Sequence, residues 1–478
     1  MAKIKENIFR EYDIRGMIND EEINDRSVKL ISKAYGTMLR KRNIDRAVVG
    51  YDLRRGSKEF SEIAIQALIS SGIEVISIGR VLTPIMYAAQ YHYESKGGMM
   101  VTASHNPNGW MGFKLALDYS YTLGPTEVQE VKQLTLSEEF IEGKGDLIVD
   151  DDYIIIYTED VLDRVHLSRP VKVVVNAGNG TAGPIVPDIL RKANCEVFEF
   201  LTEPDLDFKR YFPNPSKVEM MEDTGRETVN NKAEIGLAFD GDGDRLGITD
   251  ECGNVIWPDR YMAILSRKVL AEHPGATIVY DVKSSRALGE DIEAHGGKPV
   301  LWKTGHSYIK KQLHALKSPF AGEMSGHIFF GPPIYYGFDD AVFTALKMLE
   351  TLSQSEKPFS ELIAEIPTYI STPTLQVKCP TNLGEEGVDE KVKYDRVAEI
   401  VEDLISEGYD VVIFENNYRL GGRIEFEDGW GLIRASSNLP VLVMRFEAET
   451  QEKLDEIINL VKSKLDKYED IGKDWESG

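Results

Sequence analysis

Short apolar runs that close on a polar residue recur along the chain. In the first, Arg46-Ala47-Val48-Val49-Gly50-Tyr51-Asp52 reads as a buried strand ending in an acid. A helix from about Lys58 to Ser71, Gly72, a strand from Glu74 to Ile78 and a polar loop around Thr83-Pro84 follow. The second has the strand Val171 to Val175, the loop Asn176-Ala177-Gly178-Asn179-Gly180, a helix near Gly183 to Ala193 and the strand Cys195 to Phe200. The third has the strand Thr277 to Asp281, a helix from Ser285 to His295, the strand Pro299 to Trp302 and the loop Lys303-Thr304-Gly305-His306. Short apolar runs bounded by turn residues are the pattern of buried strands. Strand–helix–strand units predict largely parallel sheets covered by helices. Polar sites collect at the carboxyl ends of such strands, where Asp52, Asn176, Asp281 and His306 fall.

The flanking regions differ. Ile8 to Gly16 reads as a short extended segment with Arg15 at its tip, and Asp25 to Arg42 as an amphipathic helix. After Ile366-Pro367 the pattern changes to a strand (Thr374 to Val377), a charged helix (Asp389 to Glu407), three strands (Gly422 to Phe426, Trp430 to Ala435, Val441 to Phe446) and a last helix (Thr450 to Lys467). Asp428-Gly429 has hairpin character, and the tail beyond Tyr468 is expected to fray. The spacing of the three repeats is that of tandem domains, too long for a solenoid. It divides the chain into α/β domains over residues 1–152, 153–253 and 254–367 and an α+β domain over 368–478.

Composition narrows the partners. With 55 Lys and Arg against 79 Asp and Glu, the net charge of −24 repels nucleic acid and anionic membranes. A phosphorylated substrate would be repelled too, unless basic residues gather at one place. Cys195, Cys252 and Cys379 match neither a disulfide framework nor a zinc site. The charged N-terminal segment has no apolar core of a signal peptide, and no apolar run reaches the ~20 residues of a membrane helix. A cytoplasmic location is expected.

Four stretches carry candidate chemistry. Thr102-Ala103-Ser104-His105-Asn106-Pro107 sets a hydroxyl nucleophile beside an imidazole, with Lys114 downstream, although the same letters describe a plain surface turn. Phe239-Asp240-Gly241-Asp242-Gly243-Asp244-Arg245 places carboxylates at alternate positions; on an extended loop they would point to one side and hold Mg²⁺, Ca²⁺ or Mn²⁺. An EF-hand reading fails, because Arg245 stands where its sharp turn needs glycine and strands flank the loop. Gly322-Glu323-Met324-Ser325-Gly326-His327 is a loop that presents an acceptor and a hydroxyl suited to sugar hydroxyls, and otherwise a turn with a solvated glutamate. Arg434-Ala435-Ser436-Ser437-Asn438-Leu439-Pro440 follows a strand and suits a phosphate.

Together with Tyr12-Asp13-Ile14-Arg15-Gly16, these stretches resemble the α-D-phosphohexomutases, in particular the phosphomannomutase/phosphoglucomutase branch, in order and over nearly the whole chain. The resemblance implies three related α/β domains with mixed, largely parallel sheets plus a C-terminal α+β domain, arranged around a central cleft. It implies an isomerase that interconverts hexose 1-phosphate and hexose 6-phosphate through phospho-Ser104 and a 1,6-bisphosphosugar, itself an activator. Ser104, Asp240, Asp242 and Asp244 would hold Mg²⁺. Glu323 and Ser325 would read the 3- and 4-hydroxyls, blind to the C2 position at which mannose and glucose differ. Arg434, Ser436 and Ser437 would grip the phosphate not in transfer. Tyr12, Arg15, His105, Lys114, Arg245, Lys283 and His306 would line the cleft, with Lys114 or His306 as proton acceptor and His105 orienting the loop. The basic residues among these would offset roughly four negative charges from phosphoserine and substrate. Met324 fits this branch better than the glucosamine-phosphate mutases, where glutamine is usual, whereas Ser437-Asn438-Leu439 departs from the branch's more frequent Asn-Thr-Thr. A monomer or dimer acting on a small phosphosugar is expected; a metal-dependent sugar phosphatase and a non-catalytic sugar-phosphate binder are the rivals.

Overall fold

A computed structural model of the protein describes residues 4–384, 389–436 and 439–477. Among the described residues there are four sheets. In the first, the order is Ile14–Met17, Trp110–Asp118, Gly97–Val101, Arg46–Tyr51, Glu74–Arg80, Leu147–Val149, with Tyr121–Thr122 added to Trp110–Asp118. Arg46–Tyr51 is parallel to both its neighbours, while Trp110–Asp118 runs antiparallel between Ile14–Met17 and Gly97–Val101. The second sheet repeats this plan: Val171–Asn176 lies parallel between Cys195–Phe200 and Ile235–Phe239, and Leu246–Asp250 and Val255–Ile256 close it antiparallel. The third orders Lys298–Trp302, Thr277–Asp281, Phe320–Gly322 and Ile328–Phe330. The antiparallel return strands matter for function, because the loops that enter them, 102–109 and 240–245, carry the hydroxyl and the acids.

Local sequence explains most elements. The Asp25–Lys41 helix starts at a capping box in which Asn24 accepts from the Ser27 amide and Ser27 Oγ accepts from the Asn24 amide (3.1 and 2.9 Å). Thr83-Pro84, expected as loop, instead opens the helix Thr83–His92: proline is tolerated in a first turn, where its missing N–H has no intrahelical partner to lose. The Ala341–Ser353 helix is capped by Asp340, which accepts from the Phe343 amide at 2.9 Å.

The C-terminal sheet orders Asp410–Ile413, Gly422–Phe426, Gly429–Ala435, Val441–Ala448, Leu375–Lys378 and Glu476–Ser477, with Ile370–Ser371 on Val441–Ala448. Its Gly422–Phe426 and Gly429–Ala435 strands form the hairpin, Phe426 facing Gly429. The tail does not fray completely: Ile471 is buried, and Glu476 pairs with Gln376.

The chain forms two compact units. One comprises Met1–Val279, Ile292–Pro299 and His306–Glu365; the other Tyr280–Asp291, Val300–Gly305 and Ile366–Gly478. The second unit thus takes in two short segments from the third repeat. They belong there because Val282, Leu301 and Trp302 pack with Phe414, Trp430 and Leu432 in one apolar cluster.

Candidate active site

In the first unit the serine loop and the acidic loop meet. Ser104 is buried with φ +49°, a left-handed conformation that L-residues rarely adopt. Its amide donates to Thr102 Oγ1 (2.8 Å), and its Oγ lies 3.1 Å from both Asp240 Oδ2 and His105 Nδ1. Gly241 packs on the Ser104 carbonyl so closely that a Cβ there would meet it at 2.5 Å. Gly112 is constrained in the same way: a Cβ would stand 2.2 Å from the Ile14 carbonyl, where Arg15 and Gly112 face each other across the sheet.

The acidic loop is a turn rather than an extended alternation. Gly243, at φ +71°, sends its amide back to the Asp240 carbonyl, and Asp240 Oδ1 accepts from the Asp244 and Arg245 amides (3.1 and 3.2 Å). This curl, not strand periodicity, gathers the three buried carboxylates, whose ligand oxygens lie within 4.8 Å of one another. Asp242 Oδ2 accepts from Thr83 Oγ1 and from Lys114 Nζ, both at 2.7 Å; Lys114 also pairs with Asp244.

The electrostatics follow from that crowding. Burial, then the charges of Asp244 and Asp242, push the Asp240 carboxyl well above the carboxylate range. Asp242 goes the other way: burial opposes its charge, but Lys114 overcomes it and holds the carboxylate below that range. Lys114 is penalised by burial as well, yet Asp242 and Asp244 outweigh this and raise its pKa. Asp242 Oδ1 and Asp244 Oδ1 are buried with no hydrogen-bond partner among the described residues. Three carboxylates and a hydroxyl, with two uncommitted buried oxygens, fit a hard divalent cation.

The sugar-type loop joins this cluster from the other side. The Leu246 amide donates to the Gly326 carbonyl (3.1 Å), Ser325 Oγ donates to Glu323 Oε2 (3.2 Å), and Glu323 is fully buried. Arg245 Nε donates to His327 Nε2 at 2.9 Å, and His327 Nδ1 lies 2.9 Å from Asp339 Oδ2. A guanidinium can only donate, so Nε2 is the accepting nitrogen of that ring. His306 is buried near Asp339 (3.9 Å) and meets Tyr12 edge-on at 5.1 Å between ring centroids. Burial, aided by the charge of Lys310, pushes its pKa well below the ordinary histidine value, so it is neutral. His105 is pushed the same way by burial and by Arg245 and Arg15. Arg15 donates to Asn106 of the serine loop and to Asp13.

Lys283, Arg434 and Ser436 belong to the second unit. Lys283 Nζ lies 3.7 Å from Asp281, and the Lys283 carbonyl accepts from Arg445 Nη1 (2.5 Å). Arg434 Nη1 donates to the Ala435 carbonyl (3.2 Å), its Nε buried without a hydrogen-bond partner among the described residues. Ser436 Oγ accepts from the Leu439 amide (3.2 Å), and Ser437 lies outside the described residues.

The structure adds residues to which the sequence assigned no role: Arg54, Thr83, Lys310, His327 and Asp339. Of these, His327 lies in a stretch read as candidate chemistry and Thr83 in one read as a polar loop. The others reach the site through folding alone.

Sequence comparison agrees with the order of these loops. Residues 6–142, 153–253 and 257–369 match the phosphoglucomutase/phosphomannomutase alpha/beta/alpha domains I, II and III, and residues 388–463 match the C-terminal domain. A phosphomannomutase/phosphoglucomutase of Pseudomonas syringae pv. tomato is 37% identical over 97% of this chain and 96% of its own length. A phosphoglucomutase of Neisseria gonorrhoeae is 37% identical over 98% of both chains. The crystal structure of a phosphoglucomutase/phosphomannomutase family protein from Burkholderia thailandensis superposes with a TM-score of 0.86 at 34% identity, covering 97% of this chain and 98% of that one.

Proposed function

The chain belongs to the phosphoglucomutase/phosphomannomutase family, and from that premise we propose that it is the mutase that interconverts hexose 1-phosphate and hexose 6-phosphate, of mannose, glucose or both. The observation that carries this is the Ser104 hydroxyl, buried in a left-handed turn 3.1 Å from one of three clustered carboxylates.

Phospho-Ser104 gives its phosphoryl group to a sugar monophosphate, and the 1,6-bisphosphosugar so formed returns its other phosphate to Ser104. Such transfers depend on positioning and charge stabilisation. Asp240, Asp242, Asp244 and Ser104 would hold Mg²⁺, which when bound neutralises charge on the transferring phosphoryl group. Arg15 and Arg245 add fixed positive charge. Glu323 and Ser325 orient the sugar through its hydroxyls, while Arg434, Ser436 and Ser437 hold the other phosphate and Lys283 adds to the lining. A proton leaves the attacking hydroxyl, and Lys114 and His306 are the candidate acceptors. His306 is already neutral. Lys114 is held as an ammonium by Asp242 and Asp244, so it would have to give up that proton before it could accept another.

The test is turnover of glucose 1-phosphate and mannose 1-phosphate with Mg²⁺ and a trace of bisphosphosugar, in wild type and Ser104→Ala. Formation of 6-phosphate only by wild type, with phosphate on the Ser104 peptide by mass spectrometry, is expected. Release of free phosphate would mean a phosphatase, and absence of any 6-phosphate product would sink the mutase reading.

A further inference from the structure

We propose that Arg54 is a positioning residue of the reaction: its buried guanidinium holds the Ser104 loop in the shape that sets the Ser104 hydroxyl on the acidic cluster. The inference rests on Ser104 being the phosphate carrier.

The serine loop has few backbone bonds of its own: the Asn106 amide donates to the Ala103 carbonyl (3.0 Å) and the Trp110 amide to that of Pro107 (3.3 Å). Arg54 donates to three carbonyls of the loop and to that of Trp110, the first residue of the strand that follows. Its Nη2 donates to the Ser104 carbonyl at 2.6 Å, and its Nη1 to those of Asn106, Pro107 and Trp110 at 3.0, 3.3 and 3.3 Å. The side chain is 3% exposed, and the guanidinium lies over the Phe212 ring at 4.7 Å from its centroid, so water cannot take its place.

Arg54 is itself aimed by the strand end it follows. Asp52 accepts from Arg54 Nε (3.2 Å) and from the Arg54 amide (3.1 Å). The same carboxylate accepts from Thr102 Oγ1 (2.7 Å), which in turn accepts from the Ser104 amide (2.8 Å). Both polar groups of the Ser104 peptide are therefore fixed by one Asp52–Arg54 frame. The Ser104 carbonyl is trapped between Arg54 and the backbone of Gly241, which ties the serine loop to the turn that carries the acids. Because every contact with the loop is to a carbonyl, no loop side chain reveals it. A planar fork with five N–H groups can span carbonyls from Ser104 to Trp110, whereas a lysine ammonium is a point donor.

Arg54→Lys tests this, assayed beside Ser104→Ala for turnover of glucose 1-phosphate. The lysine keeps the charge and the burial but not the fork. The expected result is a folded protein with KM within about threefold of wild type and kcat lowered by about a hundredfold, the cost of a misplaced nucleophile. Turnover within about threefold of wild type overturns the proposal. So does a loss of kcat matched by a rise in KM and a loss of thermal stability, which would make Arg54 merely structural. If Arg54→Lys does not fold, Thr102→Val is read by the same criteria, since it cuts the other arm of the frame without changing shape. Wild-type turnover by Ser104→Ala would instead sink the phosphate-carrier reading itself.

Discussion

The two compact units bury charged side chains in different ways. In the first, buried Asp240, Asp242, Asp244 and Asp339 crowd together, with Lys114 and Lys310 as the buried ammonium groups paired to them. In the second, buried arginines direct their N–H groups to backbone carbonyls: Arg423 to those of Val282 and Ser284 (3.1 and 2.9 Å), Arg445 to that of Lys283. Arg423 is also paired with Glu425 (2.7 Å), so its charge is offset while its remaining N–H groups brace the backbone. One region therefore gathers carboxylates that fit a cation, while the other turns its guanidinium groups to the backbone. The contrast shows that burial alone does not decide how a charged group is held; its partners do.

Asp242→Asn attacks the contrast most directly. It keeps the shape, removes a charge and should lower kcat by about a thousandfold, the scale of losing a group aimed at the reacting phosphoryl. It should also abolish Mg²⁺-dependent protection of peptides spanning 235–250 from hydrogen exchange, while phosphate still protects 280–284. Arg434→Ala is the mirror experiment: KM for the sugar phosphates should rise about tenfold to a hundredfold, as for one charge-assisted hydrogen bond, with phosphorylation of Ser104 unchanged. Arg423→Met leaves the Val282 and Ser284 carbonyls unpaired in a buried place and should cost about 1–3 kcal/mol in denaturant unfolding of the second unit. The smallest effect is a proton. Because the Asp240 carboxyl is raised, it holds a proton in competition with the cation, so Mg²⁺ binding should release up to one proton and weaken as pH falls. Calorimetry in buffers of different ionisation enthalpy measures that release; none at all would mean that Asp240 is already charged.

The strands were legible because apolar runs ending in Asp52, Asn176 and Asp281 are a local signal, and so were the loops that follow them. The acidic loop was legible in letters but not in shape, since a turn centred on Gly243 replaced the expected alternation. The helix beginning at Thr83 was hidden by Pro84, which reads as a breaker unless it falls in a first turn. Arg54, Lys310 and Asp339 could not be seen, because backbone carbonyls and distant side chains give them their surroundings. The allocation of Tyr280–Asp291 and Val300–Gly305 to the second unit was equally invisible, as a division along the sequence keeps neighbours together.

That discontinuous unit has a consequence for synthesis. When residues 280–305 leave the ribosome, the strands that Val282, Leu301 and Trp302 will pack against, and the arginines that will receive the loop carbonyls, have not yet been made. The apolar segment must wait, exposed, until Gly422–Phe426 and Gly429–Ala435 emerge, which is the interval in which a chain is open to aggregation and to chaperones. For the same reason a fragment cut before Ile366 would leave Trp430 and Leu432 without their cover, so the C-terminal unit cannot be harvested as a simple tail.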